Sequence, residues 1–307
     1  MSDITSPPKR KEKELSRWQV FWQSKKNQRR IVTAVKLLVA AVVLFYSLLP
    51  VAYTISSAFS PVQGVSRQLI PANPTLDNFR EILYGQPFGL WMWNTTKIAL
   101  ISALLSALIT TLTAFAFSRF RFAGRGQLLL GILLIQVFPA LMAMIALYSL
   151  LDQLGRCCIP ALGLNTHGGL ILIYMGGAMG LNVWLMKGFF DSIPRDIDES
   201  AMVDGASHWQ TFWYLIFPLV RPIVVVIVIL TFFGVYGDWI LPNIMIGTKS
   251  ELFTLMLGLQ TFIGNNYAQN WSVFAAGAVL GSILPVLVYI LLQDQIVGGL
   301  TTGAVKG

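Results

Sequence analysis

Long apolar segments alternate with shorter polar segments along the chain. Six of the apolar segments approach the ~20 residues that a membrane-spanning helix needs. The first is too long to be the ~7–15-residue core of a signal peptide, so we expect it to be retained as a helix. The pattern predicts an all-α, polytopic membrane protein with six transmembrane helices. Their predicted limits are 31–58, 93–117, 127–151, 168–186, 222–247 and 271–292.

The composition supports a membrane protein. Of the 307 residues, 55% are hydrophobic and only 12% are charged, whereas soluble domains carry about 25% charged residues. The net charge of +8 does not indicate a nucleic-acid partner, because most of the basic residues flank the predicted spans. The composition therefore predicts the lipid bilayer as a partner and no nucleic acid.

The distribution of Lys and Arg predicts which side of the membrane each loop occupies. With the N-terminus in the cytoplasm, 17 of these residues lie inside and five lie outside. This excess agrees with the positive-inside rule. Both termini and the polar segment 191–222 are then cytoplasmic. Residues 1–30 form a basic tail, 31–297 the transmembrane domain and 298–307 a short Gly-rich tail.

Three polar side chains lie within or near predicted spans and are candidates for a transport pathway. They are Gln136, Asn182 and Asp238. Asp238 is the only acid inside a predicted span, and such a residue is a functional candidate by default. It also lies near the outer end of its span, where the carboxylate could instead reach water. Both interpretations of Asp238 stay open.

The polar segment 191–222 has the features of a short helix that ends in a tight turn. Pro194 suits the start of a helix, where its missing N–H is no loss. A helix over 195–203 would carry Asp198 in its first turns, where negative charge is favourable. Gly205 can then end the helix in the left-handed conformation.

A second short helix follows the turn. Ser207 and Gln210 have the spacing of a capping box, which predicts that a helix begins at this point. A loop that only connects two spans could be much shorter than 191–222. We therefore expect this loop to contact a partner, and the alternative is an amphipathic helix that lies at the membrane surface.

The spacing of this loop resembles the EAA loop of the membrane subunits of ABC importers. The family pattern has an acid followed by small residues, then a glycine, then a proline near the next span. Ser200 stands in place of the first alanine of the pattern, and Phe217 in place of the usual leucine. The resemblance implies that the loop couples the chain to a cytoplasmic ATPase. The residues carried over are Glu199, Ser200, Ala201, Asp204, Gly205, Ala206 and Pro218.

Further segments narrow the resemblance. The stretches 136–140, 163–169 and 299–307 look like the smaller membrane subunit of bacterial maltose/maltodextrin importers. This implies a type I ABC importer permease fold in a bacterial cytoplasmic membrane. The implied partners are a second permease subunit, a dimer of the cytoplasmic ATP-binding subunit, an external sugar-binding protein and a carbohydrate substrate. Import of a different sugar is the alternative within this class.

The sequence lacks the signatures of an enzyme. It has no G-x-x-x-x-G-K-[ST], H-E-x-x-H or G-x-S-x-G motif, so we expect no catalytic residue, cofactor or metal, and ATP hydrolysis in a partner subunit. His167 and His208 are far apart in the sequence and indicate no metal site. Cys157 and Cys158 are adjacent, and we expect no disulfide between them. An ion-coupled secondary transporter, which would bury more acids along a path, is the alternative from a different class.

Two introduced cysteines test the predicted topology. In a background with Cys157→Ser and Cys158→Ser, positions Ser207 and Asn265 should react oppositely with a membrane-impermeant maleimide on intact cells. Position 265 should label and position 207 should not, because the positive-inside rule places position 207 in the cytoplasm. Labelling of position 207 from outside would overturn both the topology and the coupling role of 191–222.

Overall fold

A computed structural model describes residues 25–304, except 63, 65–67 and 265–268. Most of the predicted tail 1–30 and the labelling site Asn265 therefore lie outside the described residues. Every regular element within them is helical. The α-helices are α1 (Lys25–Ala58), α2 (Asp77–Arg80), α3 (Phe88–Arg119), α4 (Arg125–Val137), α5 (Ala140–Cys157), α6 (His167–Ser192), α7 (Asp196–Val203), α8 (His208–Gln210), α9 (Phe217–Tyr236), α10 (Ile240–Met245), α11 (Leu255–Gln260) and α12 (Trp271–Ala304).

Shorter helical turns of other types connect some of these helices. Two are π-helical, at Glu81–Gly85 and Thr211–Ile216, and two are 3₁₀ turns, at Pro160–Leu162 and Ser250–Leu252. The π-helical segment Thr211–Ile216 is part of the loop that the sequence singled out, so it bears on the functional site.

The chain divides into two units, Met1–Thr54 and Ile55–Gly307. In the first unit the described residues form the greater part of α1, an apolar helix with exposed side chains such as Phe45 and Tyr46. The contacts that build the functional site all lie in the second unit.

The apolar helices confirm a polytopic membrane fold. Among the described residues, four unbroken helices are long and apolar enough to cross a membrane, namely Gln28–Ala58, Phe88–Arg119, His208–Tyr236 and Trp271–Gln295. Two bent pairs of helices pass the same test together, so the number is six when each pair counts as one span. The six predicted spans correspond to these segments.

The third predicted span, 127–151, is broken rather than continuous. Its two parts, Arg125–Val137 and Met142–Cys157, meet at 108°. Proline has no N–H to donate, and it disfavours helical backbone in the residue before it. Phe138, which precedes Pro139, is accordingly extended with ψ 130°. The chain therefore changes direction at this proline instead of crossing as one straight helix.

The limits of the fifth span also differ from the prediction. We expected one helix over 222–247, whereas α9 starts at Phe217 and ends at Tyr236, and the separate helix α10 follows. Asp238 lies at this separation, and its Oδ1 accepts a hydrogen bond from the backbone N–H of Ile240, the first residue of α10, at 2.9 Å. The predicted span thus contains a helix boundary.

The last helix is longer than expected. The sequence predicted a span over 271–292 and a flexible tail from 298, but α12 continues to Ala304. A glycine costs a helix only about 1 kcal/mol relative to alanine. The glycines near the end of α12 are therefore not enough to stop a long apolar helix.

The expectation for the cysteines is wrong. Cys157 and Cys158 are joined by a disulfide, with their Cα atoms 3.8 Å apart. Cys157 is the last residue of α5, and Cys158 has left the helical conformation, with φ −136° and ψ −57°. Because Cys158 is free of the helix, its backbone can turn so that both sulfur atoms meet.

Helices α3, α6 and α9 pack against one another and hold two buried apolar clusters. Small residues on α3, among them Ala99, Ala103, Ala107 and Ala114, are almost completely buried. Small residues let helices approach closely, which is how helices commonly pack in membranes. The second cluster includes Phe115 and lies next to the loop 191–222, so it forms the base of the functional site.

Candidate functional site

The loop 191–222 contains two short helices joined by a turn, as the sequence predicts. Helix α7 covers Asp196–Val203, with Arg195 at its N-cap. Helix α8 covers His208–Gln210. The loop therefore presents a folded surface rather than an irregular connection.

Gly205 ends α7 in the left-handed conformation, with φ +84°. Its N–H donates to the carbonyl of Met202 at 3.1 Å, and the N–H of Ala206 donates to the carbonyl of Ala201 at 2.9 Å. These two bonds form a Schellman motif. A Cβ at position 205 would meet no atom within 4 Å. The position therefore favours glycine, or a residue that tolerates positive φ, because of its backbone and not because of crowding.

A capping box opens α8, which confirms the prediction from Ser207 and Gln210. The backbone N–H of Gln210 donates to Ser207 Oγ at 3.3 Å, and the N–H of Ser207 donates to Gln210 Oε1 at 2.8 Å. The two bonds satisfy N–H groups that the start of a helix leaves unpaired. The turn is thus fixed at both sides, by the Schellman motif before it and the capping box after it.

A π-helical segment, Thr211–Ile216, joins α8 to α9. Phe217 donates its N–H to the carbonyl of Phe212, five residues back. Pro218 has no N–H, so the ordinary α-helical ladder cannot continue through it. The wider π turn lets the chain enter α9 without that bond, and single π turns are frequent at functional sites.

Three aromatic rings beneath the loop join α3, α6 and the π-helical segment. The ring centroid of Phe115 lies 5.7 Å from that of Phe190 and 4.8 Å from that of Phe212. All three side chains are buried. Each aromatic pair of this kind contributes about 0.5–1.5 kcal/mol beyond the area that it buries. The rings therefore hold the ends of the loop against the core of the subunit.

A buried ion pair connects α3 to α7. Arg119 Nε lies 3.0 Å from Asp198 Oδ2, and the two side chains are only 8% and 10% exposed. Within the described residues neither atom has a well-aligned hydrogen bond, so the contact is an attraction between two charges that the helices hold in place. Removal of one partner from a buried pair leaves an uncompensated charge, at a cost of ~3–5 kcal/mol.

The same guanidinium also binds the end of α6. Arg119 Nη1 donates to the carbonyl of Phe190 at 3.1 Å, and Nη2 donates to the carbonyl of Ile193 at 3.2 Å. The last carbonyls of a helix have no partner within the helix, and cations stabilise this end. Arg119, which belongs to α3, therefore contacts both α6 and α7.

Neighbouring polar side chains add further links between these elements. Ser118 Oγ donates to Asp191 Oδ1 at 2.6 Å, and Lys187 forms an ion pair with the other oxygen of Asp191. Arg195, the N-cap of α7, donates through Nη2 to the carbonyl of Ser118 at 3.1 Å. The end of α3 is thus bound to both the end of α6 and the start of α7.

The predicted coupling residues divide between two faces of the loop. Ala201 is buried, and Ala206 is half-buried. The others are exposed, and they are Glu199, Ser200, Asp204, Gly205 and Pro218. Residues 199–206 lie together on α7 and its turn, whereas Pro218 lies beyond the π-helical segment on α9. The loop therefore has an inner face bound to the helices and an outer face that is free in this chain.

The predicted pathway residues have other surroundings. Asp238 lies between the end of α9 and the start of α10, and not within a helix. Its Oδ2 accepts a hydrogen bond from the hydroxyl of Tyr174 at 2.9 Å, and its Oδ1 accepts one from the backbone N–H of Ile240 at the start of α10. Gln136 is exposed on α4, and its side chain lies against Gly180, where a Cβ would overlap it. Asn182 is half-buried on α6. A pathway role for the three stays a prediction.

Little in the sequence indicates the Arg119–Asp198 pair. Arg119 is one of many basic residues near the predicted spans, and Asp198 fits the preference for acids at the start of a helix. One signal was present: Asp198 is three residues before Ala201, so on a helix both lie on the same, inner face. An acid on the apolar side of a short helix needs a buried partner, and Arg119 is that partner.

The fold and the loop together define a class of membrane transport protein. Residues 106–301 match the family described as binding-protein-dependent transport system inner membrane component. The chain belongs to this family, and it is the permease subunit of an ABC importer. The match includes Arg119, the whole loop 191–222 and helices α6 and α9.

Several relatives are similar over most of their length. The chain is 40% identical over 273 residues to the maltose/maltodextrin transport system permease protein MalG of Vibrio parahaemolyticus, which covers 84% of this chain and 90% of the relative. It is 40% identical over 271 residues to the galactooligosaccharides transport system permease protein GanQ of Bacillus subtilis, covering 87% and 92%. It is 41% identical over 222 residues to MalG of Escherichia coli, covering 72% and 73%.

Solved structures share the fold. One is a bacterial ABC transporter involved in the import of the acidic polysaccharide alginate, with a TM-score of 0.71 at 20% identity over 87% of this chain and 97% of that chain. Another is a bacterial alginate ABC transporter in complex with an alginate pentasaccharide-bound periplasmic protein, with a TM-score of 0.65 at 14% identity over 88% and 95%. The fold is that of a type I importer permease.

The turn at Gly205 yields a prediction with a matched control. Gly205→Val should lower transport strongly at a near-normal membrane level, because a β-branched residue is strained at φ +84° by roughly 1–2 kcal/mol or more. Gly205→Asn should transport well, because asparagine tolerates the left-handed conformation and the site has room for it. Uptake of labelled sugar and immunoblots of membranes measure both quantities. Equal transport by the two variants would show that this backbone conformation does not matter.

Proposed function

We propose that the chain forms half of the translocation pathway of an ATP-driven carbohydrate importer and couples to a cytoplasmic ATPase through the loop 191–222. One observation carries the proposal: α7 is bound to the core on its inner face and free on its outer face. Met202 and Val203, at the end of α7, are 43% and 87% exposed. Exposed apolar side chains on a rigid helix suit insertion into a cleft of another protein.

The charge of the free face supports a protein partner as well. Glu199 and Asp204 are exposed beside the apolar pair, so a cleft with basic groups at its rim would be complementary to α7. Two copies of an ATP-binding subunit would supply such clefts, one for this chain and one for a second permease subunit. An external sugar-binding protein would deliver the substrate from the other side of the membrane.

This arrangement places the loop and both termini in the cytoplasm of a bacterial cell, as the Lys and Arg distribution predicts. ATP is available on that side of the membrane. An ATPase can act on the permease only if the docking face is cytoplasmic, so coupling requires this orientation of the chain. The chain carries no phosphate loop of its own, and ATP hydrolysis therefore belongs to the partner.

Coupling is a shift in the populations of two states of the permease. ATP binding closes the ATPase dimer, moves the docked helices and favours an outward-open arrangement. A nucleotide shifts this equilibrium only by its difference in affinity for the two states. A change from mostly inward to mostly outward requires about 5.5 kcal/mol of such bias. A loop held by the Schellman motif, the capping box and the buried ion pair is stiff enough to transmit that energy.

Maltose and maltodextrins are the substrates that we propose first. The Vibrio parahaemolyticus relative named for maltose/maltodextrin transport and the Bacillus subtilis relative named for galactooligosaccharide transport are each 40% identical to this chain. The resemblance of 163–169 and the C-terminal stretch to maltodextrin importers favours the α-glucans. Galactooligosaccharides are the second candidate, because of the similarity to GanQ.

Uptake by cells that lack only this chain tests the proposed function. Deletion of its gene should abolish uptake of labelled maltotriose, and the restored gene should recover it. Labelled galactotriose serves as the matched substrate. Loss of maltotriose uptake alone supports maltodextrin import, and loss of galactotriose uptake alone would replace it with the second candidate.

A reconstitution separates the importer from the competing class. Proteoliposomes that hold only this chain should neither hydrolyse ATP nor take up maltotriose under a proton gradient, because the energy comes from the partner subunit. Gradient-driven uptake by the chain alone would contradict the ABC importer and indicate a secondary transporter.

A further inference from the structure

Within the described residues of this site, the final turns of α3 contact α6, α7 and the π-helical segment. Phe115 and Arg119 are four residues apart and therefore lie on the same face of α3. Phe115 packs on Phe190 of α6 and on Phe212 of the π-helical segment. Arg119 reaches the end of α6 and the side chain of Asp198 on α7. Both side chains thus bind the loop to one place on α3.

Arg119 is the cation that faces Asp198. Arg195 belongs to the same loop, but it is an exposed residue, and its guanidinium donates to the carbonyl of Ser118. Lys187 is engaged with Asp191. Asp198 Oδ2 has no hydrogen bond within the described residues and lies 3.0 Å from Arg119 Nε. The position of this carboxylate therefore depends on one guanidinium.

A buried ion pair of this kind is better suited to fixing a position than to stabilising a fold. Two apolar residues of similar volume often replace such a pair without loss of stability, whereas loss of one partner is strongly destabilising. Here the pair and the two carbonyl contacts of Arg119 determine how α7 sits on α3 and α6. Apolar contacts alone, such as that of Ala201 with the core, do not specify one orientation.

The covalent route from α7 to the next span is longer and less direct. After Val203 the chain passes through Gly205, whose Cβ position is surrounded by open space. The capping bonds of Ser207 are local to α8, and a π-helical segment of six residues then precedes α9. A displacement of α7 is therefore transmitted to α3 and α6 directly, through polar contacts. It reaches α9 only indirectly.

We propose that Arg119 is a positioning residue that makes α7 move together with the cytoplasmic ends of α3 and α6. The movement of the docked partner is then transmitted to the helix bundle mainly through the Arg119–Asp198 pair, and not chiefly through the turn at Gly205. This inference rests on the proposed function, because it assumes that α7 is the element on which the ATPase acts.

Variants of the complete importer in proteoliposomes test the proposal. The readout is the amount of sugar transported per ATP hydrolysed, measured beside the thermal stability and the ATPase content of the purified complex. Arg119→Met and Asp198→Leu should lower this ratio about tenfold, which is within the usual range of coupling between two sites. Arg121→Met is the matched control, because Arg121 is an exposed arginine two residues away. It should leave the ratio unchanged.

The double variant Arg119→Met with Asp198→Leu separates positioning from stability. It removes both charges, so we expect it to recover the stability that each single variant loses. It lacks the ion pair that joins α7 to α3, so we expect the transport ratio to stay low. If the ratio recovers together with stability, the pair has only a structural role and the proposal is wrong.

The remaining outcomes are also decisive. If the single variants do not reach the membrane, the transport ratio of the double variant alone decides: a low ratio supports the proposal and a normal ratio contradicts it. Loss of the double variant from the membrane would show that the pair serves assembly, which also contradicts the proposal. Failure of the proposed function would look different, because the unmodified importer would then show no sugar-dependent ATP hydrolysis with any carbohydrate tested.

Discussion

The Arg119–Asp198 ion pair is the contact on which the organisation of the cytoplasmic loop depends. Charges are costly to remove from water, so a pair at 8% and 10% side-chain exposure persists only where the surrounding helices hold it together. The aromatic rings of Phe115, Phe190 and Phe212 pack beneath the loop and join α3 to α6 and to the π-helical segment. Because Arg119 also binds the last carbonyls of α6, the loop cannot shift without disturbing α3 and α6.

The outer face of the same loop follows from this constraint. With Asp198 and Ala201 turned inward, the helical period turns Glu199 and Val203 toward the other side, and Met202 at the flank stays partly exposed. The Schellman motif at Gly205 stops α7 after two turns, and the capping box at Ser207 starts the chain in a new direction. A short, rigid, partly apolar helix is therefore exposed where a partner protein can bind it. The membrane spans need no catalytic residues of their own.

Local features of this protein could be predicted from the sequence, and contacts between distant segments could not. The left-handed glycine and the capping box depend on a few neighbouring residues, and both predictions are confirmed. The number of spans follows from apolar runs, and Pro139 indicates a kink in the third span, but neither signal gives the size of the bend, which is 108°. Asp238 was assigned to a span because apolar residues flank it, although it lies in the gap between α9 and α10.

The Arg119–Asp198 pair shows the same limit for the site. The two residues are far apart in the sequence, and each has an ordinary local explanation. Only the packing of α3 against α6 brings them together, and that packing depends on a row of small residues whose partners a single sequence does not identify. The residues of the free face were predicted because they form a continuous motif, whereas the residues that hold that motif in place were not.

A covalent replacement of the ion pair tests the central claim most directly. Arg119→Cys and Asp198→Cys, combined in a background with Cys157→Ser and Cys158→Ser, remove both charges and allow a short bifunctional methanethiosulfonate to join the two positions. We predict that the untreated complex hydrolyses ATP with little transport, and that the cross-linked complex regains most of the sugar transported per ATP. Full transport before cross-linking, or no recovery after complete cross-linking, would contradict the claim that this contact carries the movement of α7 into the helix bundle.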